Sequence, residues 1–204
     1  VPAAARHYLR HTEAGLSIRA MARDEGCHAS TILRQIRRVE SRRDDPLVDE
    51  ALARLGRCHA MPARSAPDTH EETDTMTAQF TPDARLCDEE TMNREARRIL
   101  RRLAEPGALL AVAPAMDKAA VLRETEGGQT VRTAVLDRNV AQAFALREWI
   151  ACSASGRVAR YRITPTGRAA LKRLLAEDTA RRQGAAEGDS PHAAQHRDWG
   201  ERDV

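Results

Sequence analysis

Five arginines fall within ten residues, Arg34, Arg37, Arg38, Arg42 and Arg43. A guanidinium is always charged and carries a planar fork of donors that fits both a phosphate and the edge of a guanine. Immediately before them stand His28, Ala29, Ser30 and Thr31, small or polar residues at the start of the same predicted helix. Chemistry of this kind needs a rigid carrier, and the flanking sequence supplies one. Ser17 is a predicted N-cap, followed by Ile18, Met21 and Ala22 on one face of a short helix. Gly26 then stops that helix, because a tight turn between crossing helices needs a positive φ that glycine adopts without a Cβ clash. A second helix starts at Ala29 or Ser30 and turns Ile32, Ile36 and Val39 inward, leaving the arginines largely elsewhere around it.

The segment Ser17 to Arg43 resembles the bacterial helix-turn-helix family. Ala22, Gly26, Ser30, Ile32 and Ile36 fall where that family places small, turn, start and core residues. Glu25 and Cys27 depart from it, standing where apolar residues are usual. The resemblance implies double-stranded DNA as partner. It places His28, Ala29, Ser30, Thr31 and Arg34 toward base edges and Arg37, Arg38, Arg42 and Arg43 toward phosphates. A solvated basic helix in an ordinary bundle is the competing reading. An arginine run alone would not decide between them; small residues at the crossing plus an apolar ridge favour DNA.

Flanking elements complete a helical module over residues 1–57. Residues 3–14 read as a first helix ending near Gly15. Asp45-Pro46 reads as an N-cap with proline at the first helical position, leading a stripe of Leu47, Val48, Ala51, Leu52 and Leu55 that Gly56 closes. Residues 58–87 lose this periodicity and turn Pro-, Thr- and acid-rich, which predicts a flexible acidic linker. Periodicity returns over 88–178. Met92, Ala96, Ile99, Leu100 and Leu103 predict a helix ended by Pro106-Gly107, after which ALLAVAPAM, AAVLRE and TVRTAVL read as strands joined by turns. Asp137 is the predicted cap of a helix that buries Val140, Ala141, Phe144 and Leu146 and reaches Trp149 and Ile150. The run IACSASGRVARYRIT reads as a hairpin, and Thr164-Pro165 opens a closing helix with Ala169, Leu171, Leu174 and Leu175 inward. Residues 179–204 form a predicted flexible tail, with His192, His196 and Trp199 as a candidate docking motif.

Helix, hairpin and the Thr164-Pro165-Thr166-Gly167-Arg168 junction look like the end of a winged-helix domain. That resemblance would gather Arg157, Arg160, Arg162 and Arg168 on a wing able to touch phosphate. It is incomplete, since strands stand over 108–136 where such domains carry a second helix; the module could bind protein instead of DNA. The expected fold is thus mainly α with a small α+β part: a helix-turn-helix bundle, a linker, and a winged-helix-like domain with an extra β-hairpin.

Longer phrases, ILRRLAEPGALLAVAPAMDKAAVLRE, LREWIAC and QHRDWGER, resemble the GafA-like transcriptional activators of gene transfer agent production in alphaproteobacteria. The resemblance implies a cytoplasmic, nucleoid-associated transcription factor that acts with RNA polymerase or another transcription factor. It also implies a further C-terminal domain, which fits the chain's opening without Met and its abrupt end.

Composition narrows the alternatives. A net charge of +3 provides no global basic field, so nucleic-acid affinity must come from local clustering. Aromatics make up 3% of the chain, too few for base-stacking recognition of single strands. No apolar run is long enough to span a membrane and no secretory leader opens the chain. Cys27, Cys58, Cys87 and Cys152 form no C-x-x-C pair, so neither a structural metal nor a cofactor is expected. Catalytic patterns are missing too. Gly127-Gly128 stands between strands as a turn, Ser153-Ala154-Ser155-Gly156 is a hairpin tip, and Glu71-Glu72 and Asp88-Glu89-Glu90 sit in a linker and at a helix start. A DNA-binding fragment of a transposase or recombinase, and a protein-interaction module of the transcription machinery, are the alternative readings. Homodimerisation stays open: one such module contacts few base pairs, which favours pairing, yet no heptad repeat supplies an interface.

Overall fold

The computed structural model describes residues 1–60, 86–125 and 127–188. The body of the acidic segment and the His192, His196, Trp199 motif lie outside the described residues.

Four helices form the N-terminal part: α1 (Ala3–Thr12), α2 (Ile18–Asp24), α3 (Ala29–Glu40) and α4 (Pro46–Ala60). Ser17 caps α2, its hydroxyl accepting the Ala20 N–H at 3.2 Å. Gly26 has φ +60°, the left-handed geometry the turn requires, and no side chain crowds it. Met21, Ala22, Ile32, Ile36 and Val39 are buried as the apolar spacing predicts. Asp45 caps α4 through the Leu47 N–H at 3.0 Å. That helix does not stop at Gly56. The glycine is buried within it, where a Cβ would come within 3.2 Å of the Glu13 side chain, so it serves close packing and not termination.

The second part contains α5 (Glu89–Leu103), β1 (Ala108–Val112), β2 (Lys118–Glu124), β3 (Thr130–Asp137), α6 (Arg138–Leu146), β4 (Ile150–Ala154), β5 (Ala159–Ile163) and α7 (Pro165–Gly188). The five strands make one antiparallel sheet in the order β3-β2-β1-β5-β4. Side chains alternate across it, and Leu110, Val112, Ala119, Val121, Ala159 and Tyr161 are buried under α5 and α6. Asp88 caps α5, accepting the Thr91 N–H at 2.7 Å.

Four further expectations need correction. Asp137 occupies the N-cap position of α6, but its side chain makes no capping bond; it lies 3.5 Å from the Lys118 ammonium. The same helix ends at Leu146 instead of reaching Ile150, because Glu148 turns left-handed at φ +59° and Ile150 opens β4. The last helix runs past Asp178 to Gly188, and it buries Ala170 while Ala169 is exposed.

The junction Thr164 to Arg168 has a structural reason. Thr164 Oγ1 donates to the Glu148 carbonyl at 2.5 Å and accepts the Gly167 N–H at 3.0 Å, while the Thr164 N–H bonds the Trp149 carbonyl at 3.0 Å. Gly167 sits where a Cβ would fall 2.1 Å from the Trp149 carbonyl oxygen. Only glycine lets α7 start that close, and the whole device fixes the Glu148-Trp149 turn.

The two parts share one hydrophobic core. α4 packs on α6, whose residues from Val140 to Leu146 are all buried. Polar contacts frame the apolar seam. Arg138 forks onto Glu50 at 2.8 and 2.6 Å, Gln142 reaches the same carboxylate at 3.2 Å, and Arg54 donates to Asn139. The Tyr161 hydroxyl donates to Asp45 at 2.8 Å, tying the sheet to the cap of α4. Burial and that anionic acceptor both raise the Tyr161 phenol above its usual range, so it stays a donor.

Candidate nucleic-acid interface

The start of α3 is pre-organised by its own residues. His28 is the N-cap, with Nδ1 3.3 Å from the Ser30 N–H and 2.8 Å from Ser30 Oγ. His28 and Ser30 are exposed, and Ala29 and Thr31 are half-buried. One and two turns further on, Arg34 and Arg37 project from the exposed side of α3, and neither has an intramolecular partner among the described residues.

The other three arginines of the cluster are committed elsewhere. Arg38 Nε donates to Glu148 Oε1 at 2.7 Å, and its second nitrogen meets the other carboxylate oxygen. Arg42 donates to the Ala145 carbonyl at the end of α6, at 2.5 Å, and lies 3.4 Å from Glu148. Arg43 binds Asp49 at 2.7 Å and the Tyr8 hydroxyl at 2.9 Å. Arg38 is still 64% exposed and keeps a solvent side; Arg42, at 22%, has become a strut between the two parts. The cluster that looks uniform in sequence therefore divides into free and engaged guanidiniums. Sequence reasoning missed Glu148, Glu50, Arg138 and Tyr161, because each acts through a partner roughly ninety or more positions away, which no local pattern shows. It also passed over Arg19 and Arg23, exposed on α2 and unpartnered among the described residues.

Glu25, the departure from the helix-turn-helix pattern, has its own explanation. Its carboxylate lies 2.8 Å from Nε2 of His7, a side chain buried at the joint of α1, α2 and α3, and 3.3 Å from Arg6. His7 Nδ1 in turn lies 2.5 Å from the side-chain amide oxygen Oε1 of Gln35 on α3. The Nε2 atom meets the carboxylate at contact distance without an aligned hydrogen bond, and it has no other partner among the described residues. His7 first and the neighbouring Arg6 together hold the Glu25 carboxyl below its ordinary range. A polar bridge thus replaces the apolar contact expected before the turn.

On the second part, Arg157 lies in the turn between β4 and β5, and Arg160 and Arg162 alternate with buried Ala159 and Tyr161. All three are exposed without partners among the described residues. Arg168 does not join them; it leans on the Ala104 carbonyl at the end of α5, at 3.4 Å. No protein-family model, curated protein or solved structure matches the chain. Among the described residues no group of His, Cys, Asp and Glu side chains is arranged to hold a metal ion, and no helix is long and apolar enough to cross a membrane.

Physically, the arrangement offers a rigid helix with a capped, polar N-terminus and two unengaged guanidiniums on its exposed side. Such a surface can donate to base edges and neutralise phosphates.

Proposed function

We propose that the protein is a sequence-specific regulator of transcription that binds double-stranded DNA through a helix-turn-helix formed by α2 and α3. The observation that carries this reading is the division of the arginine cluster. The structure occupies Arg42 and Arg43 internally but leaves Arg34 and Arg37 free on the side of α3 that its own N-cap organises. In an ordinary bundle helix, nothing requires two adjacent free guanidiniums beside a pre-set His-Ser cap. Arg34 reads a base edge together with His28, Ser30 and Thr31; Arg37, with the solvent side of Arg38, neutralises phosphate. The second part is a winged-helix-like unit with the β2-β3 hairpin added at the outer edge of β1. Resemblance to the GafA-like activators supports the finer reading, an activator of gene transfer agent genes acting with RNA polymerase.

Selection from a random duplex library, followed by affinity measurements across a salt series, tests it. Arg34→Ala should lose about 1–3 kcal/mol of discrimination at one base pair. Arg37→Ala should weaken specific and random duplexes alike and reduce the salt slope by about 0.9. If both variants match the parent on every duplex, α3 is not the reading helix.

A further inference from the structure

We infer that α3 and the β4-β5 hairpin form one composite DNA surface, in which the hairpin arginines contact the phosphates flanking the groove that α3 enters. This rests on the proposed role of α3. In a winged-helix arrangement the hairpin serves the helix that precedes it in sequence, here α6. That helix cannot enter a groove: every residue from Val140 to Leu146 is buried, and α4 covers it. The hairpin is left beside the C-terminal end of a different helix, α3, and the segment that follows it. Glu148, in the turn that leads into β4, grips Arg38 and lies against Arg42, both near the C-terminal end of α3. Residues Ser41, Asp44 and Asp45, which follow α3, line one shallow cleft with Ala151, Ser153 and Ser155 of the hairpin. From that position the hairpin extends its exposed, unpartnered Arg157, Arg160 and Arg162.

The arrangement gives α3 a wing supplied by a distant part of the chain. Glu148 is its positioning residue. It is held at φ +59°, where glycine is the usual occupant, with its carboxylate on α3 and its carbonyl bound by Thr164. Asp44 is the exposed carboxylate lining the cleft between the α3–α4 connection and the hairpin, so its neutralisation should favour DNA.

The test uses the whole chain, duplexes selected by the parent protein, hydroxyl-radical footprinting and a salt series. Arg157→Ala combined with Arg160→Ala should shorten protection on one flank only, reduce the salt slope by about 1.8, and leave base preference intact. Asp44→Asn should tighten binding to all duplexes. If the double variant keeps the parental footprint and slope while Arg34→Ala still relaxes base preference, the composite surface is wrong and the α3 reading stands. If Arg34→Ala changes nothing, the reading on which this inference rests fails first. Loss of base preference in the hairpin variant would also overturn the proposal, since phosphate contacts carry no sequence information.

Discussion

At the scale of single residues, Glu148 shows how a side chain's role depends on what faces it. A non-glycine residue at φ +59° costs about 1 kcal/mol against glycine. Its ion pair with the largely exposed Arg38 returns a similar, small amount. Glu148→Gly is therefore expected to change unfolding free energy by less than about 1 kcal/mol in denaturant titration, although it cuts the link to α3. Glu50 behaves differently because its partner is less exposed. The bonds from Arg138 hold its carboxyl below the ordinary value of 4.5. With the folded pKa depressed, the pair's contribution is fully present above the unfolded value. It is lost as pH falls through the folded pKa. Acid titration of stability should show a loss beginning below about pH 4.5 that is smaller in Glu50→Gln. Arg138→Met should cost about 2–3 kcal/mol at neutral pH, because it also strips donors from the Ala113 and Met116 carbonyls.

At the scale of elements, two glycines that look alike in sequence do different work. Gly26 supplies a positive φ in open space, so Gly26→Ala should cost about 1 kcal/mol and leave the fold intact. Gly167 has no unusual φ, yet its missing Cβ makes room for the Trp149 carbonyl at the start of α7. Gly167→Ala should destabilise far more, by several kcal/mol, with the hairpin and α7 losing amide protection together; equal effects of the two substitutions on thermal unfolding would contradict this account. The helices themselves were largely legible, since Ser17, Gly26, Asp45-Pro46, Asp88 and Pro106-Gly107 are local signals read by local physics. Helix ends without such a signal were not. The end of α6 coincides with the clamp of Thr164 on the Glu148 carbonyl, and α4 passes through Gly56 where that glycine packs closely against the Glu13 side chain, both contacts remote in sequence.

At the scale of the molecule, the seam between the parts determines which functional groups remain available. Burial of α6 under α4 removes a helix from consideration as a groove reader, and Arg42 is spent on the Ala145 carbonyl. Since one core runs through both parts, thermal unfolding followed by circular dichroism and by amide exchange in α3 and in β1 should give a single coincident transition. Two separated transitions would mean that the seam contributes little. Arg42→Ala belongs at this scale as well. It should lower stability by about 1.5–3 kcal/mol through the lost bond to the α6 terminus, with a smaller effect on DNA affinity than Arg37→Ala.

Sequence alone determined the caps at Ser17 and Asp45, the glycine turn after α2, the strand runs and the presence of a dense arginine cluster. Each depends on spacing within a few residues, where periodicity and backbone preference act directly. Tertiary structure decided which arginines are free, that α6 is sealed, and that the β4-β5 hairpin borders the segment following α3. Those outcomes hang on pairs such as Arg38 with Glu148, Arg138 with Glu50 and Tyr161 with Asp45. A charged side chain looks the same in sequence whether solvent, phosphate or a carboxylate about a hundred residues away will meet it. Only the packing of α4 on α6 brings the carboxylates and the arginines into range and settles the difference.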